Sequence, residues 1–297
     1  MKDYCKYLID IQATIRDALV ALNNLSHDVL VLFVMDDKQK IVGTLTDGDI
    51  RRYLIGGGDV NGVVMDAMQT NFHFVQSNVS LSLIRDYKKR GISLIPCLDT
   101  DGHLLKVIDL KNKKSLLPID AVLMAGGKGE RLRPLTEKVP KPLLHVGDKA
   151  IIDYNIERLI SYGVEHISVT VNYLHEQIEE HFKECRDGIQ IKCICEPKYL
   201  GTIGSVKFVD TFYNDAVLIM NSDLFTNIDY EDFYLHFREH DADMSVAAVP
   251  YSISVPYGIF ELEGRNIEGV REKPTYNYYA NAGIYLIKKE HLDKIPI

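Results

Sequence analysis

Apolar positions in the first 117 residues recur in two rhythms. Ile15-Arg16-Asp17-Ala18-Leu19-Val20-Ala21-Leu22 spaces its apolar side chains along one face of a helix, and residues 29–35 form a run that suits a buried strand. Asp36-Asp37-Lys38-Gln39-Lys40 predicts a hairpin turn and Ile41-Val42-Gly43-Thr44-Leu45 the returning strand. Thr46-Asp47-Gly48-Asp49 then caps a helix beginning at Ile50. The rhythm repeats with a helix over 81–90, a strand over 93–97, a turn at Asp99-Thr100-Asp101-Gly102 and a strand over 104–110. Two imperfect copies of one small unit are expected. Beyond residue 117 the pattern becomes strand–helix alternation. Strands are predicted over 121–124, 164–171, 189–195, 217–220 and 244–250, with helices over 151–161, 175–182 and 229–240. That order predicts an α/β class, with a Rossmann-like, mostly parallel sheet that binds ligands at its strand C-termini.

Composition sharpens the division. The 297 residues suffice for two domains with proper cores. Residues 1–117 hold no glutamate and balance 15 Lys+Arg against 14 Asp, so the acidic excess lies downstream. Lys111-Asn112-Lys113-Lys114-Ser115 reads as the linker, which sets expected domains of 1–115 and 116–297. No apolar run reaches the length of a membrane span, and Met1-Lys2-Asp3-Tyr4-Cys5 opens without a signal-peptide core, so a cytoplasmic protein is expected. A net charge of −8 argues against nonspecific nucleic-acid binding. An anionic ligand must then be held by local cations and backbone amides. Five cysteines without secretion favour reduced thiols. Cys193 and Cys195 alternate onto one face of a strand; a metal site with Cys185 is one reading and buried thiols the commoner one.

The strongest chemical signal runs from Asp120 to Leu143, DAVLMAGGKGERLRPLTEKVPKPL. A buried strand, Ala121-Val122-Leu123-Met124, enters the glycine turn Ala125-Gly126-Gly127-Lys128-Gly129. Glycines at a strand end let the backbone approach an anion and aim N–H groups at it, and Arg131, Arg133 and Lys141 can neutralise phosphate. A Walker A loop is excluded because no Gly-Lys-Ser or Gly-Lys-Thr occurs, and a dinucleotide fingerprint would need glycine at Leu132. A plain glycine turn would explain the loop but not the spaced arginines and Pro140-Lys141-Pro142.

This run resembles the signature of the sugar-phosphate nucleotidyltransferases, G-G-x-G-x-R-L-x-P-L-T followed by P-K-P-L, with Glu130 where the family often has Thr. Further elements resemble the family in order. They are Glu196-Pro197-Lys198-Tyr199-Leu200-Gly201-Thr202, Asn221-Ser222-Asp223, Pro256-Tyr257-Gly258, Glu272-Lys273-Pro274 and Asn281-Ala282-Gly283-Ile284-Tyr285. The resemblance implies nucleotide binding by Ala125, Gly126, Gly127, Gly129, Glu196 and Gly201, and sugar-phosphate binding by Gly258, Glu272, Lys273 and Asn281. It implies catalytic roles for Arg131, for Lys141 in an extended conformation between its prolines, and for Asp223 as a Mg²⁺ ligand. Family members run on to a later Asp-[IV]-Gly-Thr element carrying a second metal ligand. This sequence contains no such element, so weakened turnover is an expectation, and a nucleotide- or sugar-phosphate-binding regulatory protein is the alternative.

Gly43-Thr44-Leu45-Thr46-Asp47-Gly48-Asp49 resembles the ligand element of cystathionine-β-synthase (CBS) domains, which occur as tandem pairs that sense adenylates and associate with one another. The resemblance implies a regulatory adenylate site at Thr44, Thr46 and Asp49 and a homo-oligomer. As residues alone, the same stretch also reads as a strand, an N-cap and a turn without a ligand. The second copy, Lys106-Val107-Ile108-Asp109-Leu110, lacks the pattern. Fusions of this kind resemble hexose- or hexosamine-1-phosphate guanylyltransferases of surface-glycan synthesis, which implies GTP and a sugar 1-phosphate as substrates.

Overall fold

A computed structural model describes residues 4–25, 28–76, 80–197 and 203–295. The chain separates into two compact units, Met1–Leu117 with Ser161–Gly163, and Pro118–Ile160 with Val164–Ile297.

In the first unit, β1 (Leu8–Asp10) lies parallel to β2 (Val31–Met35), which pairs antiparallel with β3 (Ile41–Thr46). Between β1 and β2 runs α1 (Ile15–Asn24), started by a capping box in which the Thr14 hydroxyl accepts from the Asp17 N–H and the Asp17 carboxylate accepts from the Thr14 N–H. The helix buries Ile15, Ala18 and Leu22 against Leu32, Phe33 and Val34 of β2. Then follow α2 (Asp47–Ile55), α3 (Leu81–Lys89) and the antiparallel pair β4 (Leu94–Leu98) and β5 (Leu104–Asp109). The internal repeat extends to turn chemistry. Asp36 Oδ1 accepts from the N–H groups of Lys38 and Lys40, and Asp99 Oδ1 accepts from those of Asp101 and His103. In both turns the residue three places after the aspartate, Gln39 or Gly102, has positive φ.

Two sequence expectations change here. The second helix begins at Asp47, not Ile50, because the Thr46 hydroxyl accepts from the Asp49 N–H and Asp49 answers as the N3 partner of a second capping box. The short strand β1 was absent from the hydrophobic pattern, since three residues are too few to show a period.

The second unit is built on β6 (Ile119–Met124), every residue of which is buried except Met124. The small hairpin β7 (His145–Val146) and β8 (Lys149–Ala150) leads into α4 (Ile151–Ser161), β9 (His166–Val171), α5 (His175–His181) and β10 (Ile191–Cys195). After these come β11 (Ala216–Asn221), α6 (Tyr230–Glu239), β12 (Met244–Ser254), the hairpin β13 (Ile259–Glu263) and β14 (Asn266–Arg271), and β15 (Thr275–Lys288). The six-stranded sheet has the order β10-β9-β6-β11-β15-β12. Its first four strands are parallel, and β15 and β12 extend it antiparallel, so the parallel, Rossmann-like core carries an antiparallel flank. Asp120, 3% exposed, ties the amino end of β6 to the crossing segment before β11 by accepting from the N–H groups of Tyr213 and Asn214 and from the Asn214 amide. No helix among the described residues is long and apolar enough to cross a membrane.

Candidate active site

The parallel strands deliver their carboxyl ends to one rim of the sheet, where β6, β9 and β11 border a cavity of about 760 Å³. Ala125, Gly126, Gly127, Gly129, Arg131, Lys141, Glu196 and Asp223 all line it, so eight of the residues singled out in the sequence meet at one place.

The glycines are used differently. A Cβ on Gly126 would stand 2.5 Å from Glu196 Oε1 and 3.1 Å from its Cδ, so glycine lets the loop pass beneath the buried Glu196 carboxylate. Gly129 has φ +62°, and a Cβ there would meet the Thr136 methyl at 2.9 Å. Thr136 is buried and donates its hydroxyl to the Gly129 carbonyl at 2.9 Å, which clamps the loop in its left-handed turn. Gly127 faces open space, so its backbone is free to meet a ligand. Arg131 stands exposed at the outer end of the loop.

Lys141 is ion-paired with Asp223; the two side chains are 38% and 26% exposed. Lys141 is not extended as the flanking prolines suggested. Pro140 is extended, but Lys141 opens a 3₁₀ turn (Lys141–Leu143) closed by bonds from the Leu143 N–H to Pro140 O and the Leu144 N–H to Lys141 O. Those bonds offset the pre-proline preference for extended backbone. Asp223 follows β11, and Ser222 before it is buried and donates its N–H to Met124 O of β6 at 3.2 Å. Glu196, 4% exposed, follows β10; its own N–H donates to Val171 O, and its carbonyl accepts from the Asn172 amide at 3.0 Å.

A carboxylate beside a cradle of backbone amides suits Mg²⁺ carried on a polyphosphate, because Mg²⁺ takes one or two carboxylates plus phosphate oxygens rather than a protein cage. Among the described residues, the one group of three or more close metal-ligating side chains is Asp99, Asp101 and His103 in the first unit. Cys185, Cys193 and Cys195 form no such group, nor are they the buried thiols expected: Cys185 and Cys195 are exposed, and only the half-buried Cys193 has its thiol pushed up by burial, to about 11.

Gly258, Glu272, Lys273 and Asn281 do not line the cavity. They lie on the arm formed by β12 to β15, where Glu272 and Lys273 are exposed and 4.0 Å apart. The Asn281 carboxamide serves its own strand, accepting from the Gly283 N–H at 2.8 Å and donating to the Tyr285 hydroxyl at 2.8 Å. Gly201 lies outside the described residues, as do Lys198, Tyr199, Leu200 and Thr202 of the same motif. In the first unit, Thr46 and Asp49 are engaged with each other, and Asp49, 4% exposed, also accepts from Arg52 and from the Gln69 amide. Thr44 is anchored through its backbone, its N–H donating to Gln69 O.

Sequence reasoning missed Asn172, Thr136 and Asn155. Asn172 follows β9 as Asp223 follows β11, so the strand-end rule could have found it. Asn155 betrays itself as the one amide in an otherwise apolar stripe of Ile152, Ile156 and Leu159.

The profile of the nucleotidyl transferase family matches residues 120–296, and that of the CBS domain matches residues 7–56. The mannose-1-phosphate guanyltransferase beta-B of Xenopus laevis is 31% identical over 186 residues, covering 60% of this chain and 52% of that protein. A mannose-1-phosphate guanylyltransferase of Mycobacterium tuberculosis is 29% identical over 185 residues, covering 60% and 51%. The chain thus spans about half the length of the curated relatives it matches. Among solved structures, HddC from Yersinia pseudotuberculosis superposes with a TM-score of 0.48 at 24% identity, covering 60% of this chain and 80% of that one. With its family profile spanning more than half of the sequence, from the first strand of the sheet through its last, the chain belongs to the nucleotidyl transferase family and carries a CBS domain ahead of it.

Proposed function

We propose that the second unit transfers a nucleotidyl group from a nucleoside triphosphate, GTP foremost, to a sugar 1-phosphate, giving a nucleotide sugar and pyrophosphate. The observation that carries this reading is the convergence of the glycine loop, Lys141 and Asp223 on one cavity at the strand carboxyl ends. The choice of GTP and of a sugar 1-phosphate is supported by the names of the relatives, which are mannose-1-phosphate guanylyltransferases.

The reaction is an in-line displacement. An oxygen of the sugar 1-phosphate forms a bond to the α-phosphorus, the bond from that phosphorus to the oxygen bridging the α- and β-phosphates breaks, and pyrophosphate leaves with the electron pair. The acceptor's own phosphate is the nucleophile, so the protein contributes positioning and charge neutralisation rather than a base. The amides of residues 126–129 and the Arg131 guanidinium hold the β- and γ-phosphates, the Ala125 N–H being committed to Thr170 O of β9, and Lys141 neutralises charge at the α-phosphate. Glu196 and Gly201 bind the nucleoside end, and Gly258, Glu272, Lys273 and Asn281 take the sugar phosphate. Asp223 would hold Mg²⁺, which when bound neutralises phosphate charge.

The remaining assignments belong to the same proposal. Residues 1–115 act as a tandem CBS regulatory module with an adenine nucleotide at Thr44, Thr46 and Asp49, and 116–297 as the transferase. The protein works as a homo-oligomer in the cytoplasm on a surface-glycan precursor. Support for the regulatory module is the CBS profile together with the repeated turn chemistry.

The test is pyrophosphate release in Mg²⁺ for each common nucleoside triphosphate against hexose and hexosamine 1-phosphates. Release with GTP that depends on a sugar 1-phosphate is the expected result. Release independent of the sugar phosphate, or none with any pair, overturns the reading.

A further inference from the structure

We infer that Asn155 is a positioning residue for Asp223, fixing where that carboxylate can meet a divalent cation carried by a nucleotide. This role presupposes the metal-binding function proposed above for Asp223.

Asn155 is 2% exposed and sits on the face of α4 that buries Ile152, Ile156 and Leu159. A carboxamide buried among aliphatic side chains is costly unless it is hydrogen-bonded. Its amide donates to Ser222 O at 3.1 Å and to Leu224 O at 2.8 Å, the two carbonyls on either side of Asp223. One amide thereby grips both shoulders of the residue that faces the cavity. Nearly a turn further along α4, Arg158 donates to Ile228 O in the same loop. On the opposite side, the Ser222 N–H is held by Met124 O of β6. The backbone around Asp223 is thus pinned from the helix and from the sheet.

A role confined to stability would predict that loosening α4 by other means has the same effect. A positioning role predicts a specific loss of metal affinity, because groups that orient a metal ligand typically change affinity about 10- to 100-fold when removed. Asn155→Asp keeps the size, removes the donor and sets an acceptor against two carbonyl oxygens; Asn155→Ser is a truncated second variant. Ile152→Val trims a buried methylene from the same helix as the stability control.

The experiment titrates Mn²⁺ into the full chain with GTP, followed by electron paramagnetic resonance, alongside thermal melts and GTP binding in a chelator. The expected result is a roughly 10- to 100-fold weaker Mn²⁺ site in both Asn155 variants, with metal-free GTP binding unchanged and Ile152→Val like wild type. If Asp223→Asn binds Mn²⁺ as wild type does, the metal assignment fails and this role falls with it. If Asp223→Asn weakens the site while the Asn155 variants do not, only the positioning role is overturned. Failure of both Asn155 variants to fold would make the amide purely structural and overturn it as well.

Discussion

The ammonium of Lys141 pairs with the carboxylate of Asp223 at the wall of the glycine-loop cavity, although one residue comes after β6 and the other after its neighbour β11. One arrives on a 3₁₀ turn after the loop, the other on the loop that follows β11. A positive and a negative group facing each other here define where a triphosphate and its counter-charge can be shared.

Replacing Lys141 by alanine is expected to reduce nucleotidyl transfer on the order of 10²–10³-fold, chiefly in kcat, since its charge matters most when the α-phosphate is under attack. Pyrophosphate release at saturating substrate measures this. Activity within a few-fold of wild type would remove Lys141 from the reaction.

Gly126→Ala should disable the nucleotide site, because the new methyl would press on Glu196 Oε1, and Glu196 is buried with little room to move aside. Overpacking of this kind costs about 1–3 kcal/mol. Gly127→Ala is the matched comparison, since its Cβ would meet nothing within 4 Å. Thermal melts should show Gly126→Ala clearly lowered and Gly127→Ala close to wild type, and nucleotide titration should show Gly126→Ala as the weaker binder. The reverse order would contradict the packing described for the loop.

How far this site was legible depended on whether its residues are neighbours in the chain. The glycine loop, Arg131, Lys141 and Asp223 each follow a continuous apolar strand or sit at fixed spacing, so the pattern carried them. The arm of β12 to β15 was another matter. Val249, Tyr251, Ile253, Tyr278 and Tyr279 are exposed there, so neither face of the ladder shows the buried alternation by which strands are recognised. Only 244–250 was visible by its apolar pattern and Pro256-Tyr257-Gly258, Glu272-Lys273-Pro274 and Asn281–Tyr285 only as motifs, while the hairpin β13–β14 was not visible at all. Asn155 is marked in the sequence as the one amide of an apolar stripe, but its role was not legible, because its partners are backbone carbonyls far along the chain, which no local spacing encodes.

Asp49 offers a pH test of the first unit. Burial pushes its carboxyl up, but hydrogen bonds from the Thr46 hydroxyl and N–H, Gln69 and Arg52 outweigh that and hold it below the usual carboxylate range. A depressed folded-state value means the stabilisation is present above the unfolded carboxylate value, near ~3.9, and is lost as pH falls through the folded one. Asp49→Asn should therefore be less stable than wild type at pH 7 by roughly 1–3 kcal/mol, with the gap closing below about pH 4. Denaturation midpoints followed across pH check this; a gap constant with pH would contradict the charge-assisted network.

The cysteines should separate by reactivity. Burial, with the nearby Glu179 charge, raises Cys193 to about 11, whereas Cys5, Cys185 and Cys195 are exposed. At pH 8 about one Cys193 in a thousand is thiolate, so alkylation by iodoacetamide should reach it only after the three exposed cysteines, with the fully buried Cys97 also protected. Peptide mass spectrometry over a time course reads the order, and early labelling of Cys193 would show that its side of β10 is open.

In the pairing of β6 with β11, Met124 stands opposite Asn221, so Gly126 and Asp223 each lie two residues past the last paired rung. The interval between the phosphate cradle and the carboxylate is therefore gauged by main-chain hydrogen bonds, which any sequence can make. Side chains within β6 and β11 can be exchanged for others that fit, and Gly126 and Asp223 will still arrive at neighbouring strand ends, where Asn155 then holds the backbone on either side of the carboxylate. What inheritance must guard is the count of residues after the rung, so a single inserted or deleted residue there would do more harm than many substitutions below it.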